Sequence, residues 1–158
     1  MSDNIFDEGN ELKSAWVKFS KIGDFISGTL ISVREMASRL PGKEGEMVKV
    51  YEIKAKEGSF HDIDKKKQII EPAIIVGAGD IYNVGGGFVI DGQMRNVKVG
   101  QIIGIKYTED KPNKQAGFND MKIKKVYAPK GPDGVKPLMD EEWLKENEPT
   151  VGLPSLNN

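Results

Sequence analysis

Residues 94–109 read MRNVKVGQIIGIKYTE, and their pattern decides the fold class. A short helical patch ends, Gly100 turns the chain, and an alternating strand follows. Ile103, Ile105 and Tyr107 point one way, while Ile102, Gly104, Lys106 and Thr108 point the other. A second glycine-led strand, GDFISGTLISVR at 23–34, opens the core of the chain. Glycine inside a strand, here Gly28 and Gly104, marks a bulge or a sharp bend such as a barrel corner. Two bent strands, with a short helix before the second, point to a small β-barrel that binds rather than reacts.

Working outward, the first strand is preceded by Trp16, Val17 and Phe19; Trp16 is expected to pack across a barrel end. After a Gly/Pro loop at 35–46, VKVYEIKAK forms a second strand at 48–56. Its inward side stays open, because Val48 and Val50 share one face and Tyr51 and Ile53 the other. A polar loop at 57–67 leads to an apolar strand at 68–77, with Pro72 marking an edge or bulge. IYNV at 81–84 is a short extended piece closed by three glycines. One or two helical turns at 88–97 offer Val89, Met94 and Val97 as a plug for one barrel end. The fourth strand covers 101–109 and the fifth 118–128. The expected domain plan is an acidic, disordered stretch at 1–13, a barrel at 14–129, and a linker with an acidic flexible tail at 130–158. That tail carries a short helix at 141–147.

Charge is segregated along the chain. The net charge of −1 hides an acidic start (Asp3, Asp7, Glu8, Glu11) and an end, 133–158, with six acids and two bases. Residues 12–132 keep 21 bases and 14 acids, about +7, the electrostatic footprint of a polyanion binder. Cysteine is absent, which excludes disulfides and thiolate metal sites. The acidic opening does not match a secretory signal, and no apolar run approaches the ~20 residues of a membrane helix. A cytoplasmic protein without membrane contact is expected.

The order strand, strand, strand, helix, strand, strand resembles the OB-fold, a five-stranded partly open barrel with its helix between strands 3 and 4. GDFISGTL at 23–30, VYEIKAKEG at 50–58, VKVGQIIGIKYTE at 97–109 and MKIKKVYAP at 121–129 are similar to phage-type single-stranded DNA-binding proteins, and DEEWLKE at 140–146 adds to the likeness. The resemblance implies sequence-tolerant binding of single-stranded DNA in phage replication or recombination, in the host cytoplasm. Trp143 and Leu144, with Met139 one turn before, form an apolar patch that either docks on the barrel or waits for a partner, and contacts with replication or recombination proteins through residues 138–147 are expected. Bacterial proteins of this class end in an acidic tip closed by Pro-Phe; this chain ends LPSLNN. The alternative is a structural or adaptor barrel of a phage assembly that binds no nucleic acid.

Stacking on unpaired bases needs aromatic rings beside cations. Tyr51 lies between Lys49 and Lys54, Phe60 precedes Lys65, Lys66 and Lys67, Tyr82 adjoins the glycine run, and Phe118 opens a strand with Lys122 and Lys124. Lys106 completes the candidate set, and Arg34 and Arg39 are within reach of phosphate. Each aromatic also has a core reading, which wins for Phe25 and Tyr107. No enzyme is expected, and no metal or cofactor. The single histidine, His61, reads as a solvated loop residue beside Asp62 and Asp64. GAGDIYNVGGG at 77–87 lacks both GxGxxG and GxxxxGK[ST], and no serine lies in GxSxG.

Overall fold

The structure is a computed structural model that describes residues 15–38, 42, 44–112 and 121–147. Seven strands and two short helices follow in the order β1 (Ala15–Trp16), β2 (Phe25–Ala37), β3 (Met47–Phe60), β4 (Ile74–Ile75), β5 (Ile81–Gly85), α1 (Phe88–Met94), β6 (Ile102–Lys111), β7 (Met121–Tyr127) and α2 (Glu141–Glu146). The strands form one open mixed sheet in the order β1-β5-β3-β2-β6-β7, with β4 pairing the end of β3. All neighbours are antiparallel except β1 and β5. Among the described residues no helix is long and apolar enough to cross a membrane.

Strict alternation builds the core. Ile103, Ile105 and Tyr107 of β6 point inward to Ile26 and Leu30 of β2, Tyr51 and Ile53 of β3, and Tyr82 and Val84 of β5. Burying each large aliphatic side chain contributes roughly 1.5–3 kcal/mol. The long β2–β3 pair shifts register after Ser27 and after Leu30, which bends it over this core. Gly28 sits at the first shift, where a Cβ would lie 2.1 Å from the Lys54 carbonyl oxygen. The expected bend at Gly28 is therefore present. At Gly104 the register with β2 and β7 runs on unbroken, so that glycine marks no bulge.

Two expected elements are corrected. The strand expected at 68–77 is reduced to β4, because Pro72 offers no N–H and the isoleucines around it stay exposed. Its place beside β3 is taken by β5, whose Tyr82 and Val84 face inward while Ile81 and Gly85 face out. In α1, Ile90 and Met94 are buried and Val97 packs against them, whereas Val89 is only half-buried and leaves the plug.

The sheet is open between β5 and β7. The free edge of β5 is occupied by β1, in register Ala15↔Tyr82 and Trp16↔Asn83, and Val17 N–H donates to Asn83 O at 2.9 Å. On the other side, the Lys122 ammonium donates to the Phe19 carbonyl at 3.4 Å. Val17 and Phe19 are buried. Residues 15–19 thus stand between the two sheet edges. Trp16 is not a lid; it lies beside Gly85 and stays exposed.

The flexible linker expected from residue 130 is also corrected. Ile102 N–H donates to Leu138 O, and Asp140 N–H to Gly100 O. Asp140 caps α2 by accepting from Glu142 and Trp143 N–H, and its second oxygen takes the Thr29 hydroxyl. Trp143 packs on Gly100, where φ is +96° and a Cβ would sit 2.5 Å from the indole. Residues 130–147 are therefore part of the body, and residues 1–13 and 148–158 lie outside the described residues.

Gly100→Ala tests this docking, because it strains the backbone and drives a methyl group into Trp143. Thermal unfolding is expected to show a loss of about 1–3 kcal/mol. An unchanged midpoint would mean that α2 does not depend on Gly100.

Candidate nucleic-acid interface

Among the described residues, the aromatics expected to carry stacking do not lie on the surface. Tyr51, Phe60 and Tyr82 are all at most 9% exposed and belong to the core. β3 turns Tyr51, Ile53 and Ala55 inward together, and Phe60 meets Tyr82 edge-on with ring centroids 6.3 Å apart. The Tyr51 hydroxyl donates to Asp91 Oδ1 at 2.6 Å; burial, with Asp91 beside it, pushes its pKa up. None of these three rings offers a face to a base, so the surface reading of them is corrected. Phe118 lies outside the described residues.

The lysines fall into separate groups. Lys49 and Lys54 are exposed on β3, and Lys106 on β6 stands opposite Lys125 on β7. Lys65, Lys66 and Lys67 are exposed in a loop whose turn is held by Asp64, which accepts from Lys66 and Gln68 N–H. Lys122 and Lys124 line the open seam. The Lys122 ammonium lies 5.6 Å from the Tyr107 ring centroid, and that of Lys124 lies 5.2 Å from the Phe19 centroid. Burial lowers the Lys124 pKa, and the charge of Lys122 lowers it further.

The residue missed in the sequence is Phe88. It is 95% exposed at the start of α1, between two depressions that it helps to line. The larger, about 740 Å³, also carries Lys49, Arg95 and the Tyr51 edge; the smaller, about 290 Å³, carries Gly86, Met121, Lys122 and Lys124. A helical wheel shows why Phe88 stays outside. The buried stripe runs through Ile90, Met94 and Val97, and Phe88 is about 200° from Ile90 at 3.6 residues per turn. A fully exposed phenylalanine with cations on both sides can stack on a planar base while phosphates meet the lysines. A second exposed ring, Tyr127, stands opposite Gly104 beside the Lys106–Lys125 pair.

His61 is not a solvated loop residue. Its side chain is 12% exposed, with Nδ1 2.7 Å from Asp24 Oδ1 and Nε2 2.9 Å from Glu71 Oε1. Only the imidazolium donates from both nitrogens, and the Asp24 bond is the main cause of its raised pKa. Burial pushes the Asp24 carboxyl up, but hydrogen bonds from Lys21, His61 and Ser20 outweigh this and hold it below its ordinary value. Glu71 is lowered by Lys21 and then His61. The cluster ties the turn before β2 to the segment after β3. Among the described residues no group of three or more His, Asp or Glu side chains is arranged to hold a metal ion.

The pH dependence follows from these directions. The His61 contribution is complete below 6.5 and is lost as pH rises through its raised folded value. The Asp24 and Glu71 contributions are present above 3.8 and 4.5 and are lost as pH falls through their lowered folded values. Calorimetry is expected to show the cluster's stabilisation at full strength between about 4.5 and 6.5 and declining at higher pH. His61→Gln should remove that alkaline decline; a decline that persists would assign it to other groups.

Comparison of the chain with family models, with curated proteins and with solved structures returned no match, so the reading of function rests on this geometry.

Proposed function

We propose that this protein binds single-stranded DNA with little sequence preference, protecting or organising it during phage replication or recombination. The observation that carries the reading is Phe88, almost fully exposed between two depressions whose rims hold Lys49, Arg95, Lys122 and Lys124. The order β2, β3, β5, α1, β6, β7 supports an OB-fold-like body, with residues 15–19 standing where strand would otherwise meet strand. Each base stacked on an aromatic ring contributes about 1–3 kcal/mol, and a duplex keeps its base faces hidden. Lys122 and Lys124 repel one another at the seam, and a phosphate between them would offset that repulsion as well as release counterions.

The adaptor reading has one observation of its own. Ile63, Ile69, Ile70, Ile74, Ile75 and Ile81 are all exposed in one stretch of chain around β4, as at a protein-contact surface. Binding measurements separate the two readings.

Fluorescence anisotropy with an oligothymidine and a matched duplex is expected to show tighter binding to the single strand and affinity falling with salt. Phe88→Ala should weaken binding about 5- to 150-fold at unchanged melting temperature. Replacing Lys122 and Lys124 together by Ala should reduce the log–log salt slope by about 1.4. Equal or stronger duplex binding, or an unaffected Phe88→Ala protein, would overturn the proposal.

A further inference from the structure

Asn83 is the one residue among those described with a buried side-chain polar atom that lacks a hydrogen-bond partner. It is 1% exposed, yet its neighbours Tyr82 and Val84 take the core positions of β5. Asn83 therefore faces the outer side of the sheet, opposite Glu52 on β3 and in register with Trp16 on β1. Its amide oxygen accepts from Arg34 Nη2 at 3.3 Å, which fixes the orientation of the amide and leaves Nδ2 as the unused donor. Glu52 does not serve it: its Oε1 takes the Ser32 hydroxyl and lies 3.6 Å from Arg34 Nε, and neither carboxylate oxygen bonds Asn83 Nδ2. A buried donor without an acceptor is costly and calls for a reason.

The surroundings supply one. Trp16 is 40% exposed and lies beside Gly85, whose missing side chain leaves the indole open. Trp16 and Arg34 are both exposed side chains, which rotamer changes move without disturbing the backbone. Gly85 is three residues from Phe88, so at most about 11 Å separates their Cα atoms. One nucleic-acid strand lying on Phe88 therefore reaches Trp16 within a nucleotide or two.

We propose that Trp16, Asn83 and Arg34 form a base-reading subsite for the strand that Phe88 holds. The base stacks on the Trp16 indole, a base carbonyl oxygen accepts from Asn83 Nδ2, and Arg34 turns its free N–H groups to the adjoining phosphate. A donor aimed at that exocyclic position meets an acceptor in thymine, O4, but a second donor in adenine, the N6 amino group, and so favours thymine. This inference rests on the single-stranded DNA reading and adds a preference to it.

The test uses the full chain carrying Trp143→Phe, which leaves Trp16 as the only tryptophan. Anisotropy and tryptophan emission are followed together with oligothymidine and oligoadenine. Oligothymidine is expected to quench Trp16 at the concentration that raises the anisotropy. Asn83→Asp, which turns the donor into an acceptor, should reduce the thymine-to-adenine affinity ratio 3- to 10-fold. Should that variant fail to fold, Trp16→Ala replaces it, with an expected loss of affinity of 5-fold or more for oligothymidine. Binding without Trp16 quenching, or an unchanged ratio in folded Asn83→Asp, overturns the subsite and leaves the Phe88 reading standing. No anisotropy change with either oligonucleotide overturns both.

Discussion

Val17 and Phe19 stand between the β5 and β7 edges, and much else depends on that placement. A sheet edge presents unpaired N–H and C=O groups that invite further strands. Here β1 covers the β5 edge, and the Val17 N–H bond to Asn83 extends that cover. Because the segment then fills the gap with apolar side chains, β7 meets it through lysine side chains instead of a ladder. The Lys122 ammonium reaches the Phe19 carbonyl and that of Lys124 lies over the Phe19 ring. The same segment brings Trp16 to Gly85. A seam lined by two lysines, with Trp16 held against Gly85 on the β5 side, is thus a consequence of how the sheet ends.

The proposed site has the economy of a short helix. α1 is seven residues long, and its inner side is needed to cover the core with Ile90 and Met94. Phe88 then projects outward, backed by Gly86 and Gly87, which add no side chains that would crowd it. Hydrophobic exposure of this extent contributes nothing to the core, and under the proposed function a stacked base would cover it. Cations on both sides give a strand a path across the ring instead of an isolated contact.

Much of the fold was legible in the sequence where the pattern was strict. The alternation of 101–109 located β6, and Gly28 located the bend of β2. The 68–77 run misled because isoleucine-rich stretches look like buried strands, although Pro72 breaks the ladder that such a strand needs. The aromatics were harder. Tyr51 lies on a strand with apolar residues on both faces, and only the register with β2, shifted twice, sends it inward. Phe88 was hidden by the brevity of α1, since two turns give a weak wheel. The docking of α2 was one of two outcomes that its apolar patch left open. It depends on Gly100 meeting Trp143 across the fold, and local sequence carries no sign of that contact.

The central claim is that a single strand stacks on Phe88. Photocrosslinking tests it most directly: an oligonucleotide with 5-iodouracil at one position is irradiated with the full chain, and the attached residue is identified by peptide mass spectrometry. The account predicts a crosslink at Phe88, with none at the buried rings of Tyr51, Phe60 or Tyr82. Crosslinks confined to the isoleucine-rich stretch at 63–81, or to Tyr127, would contradict it.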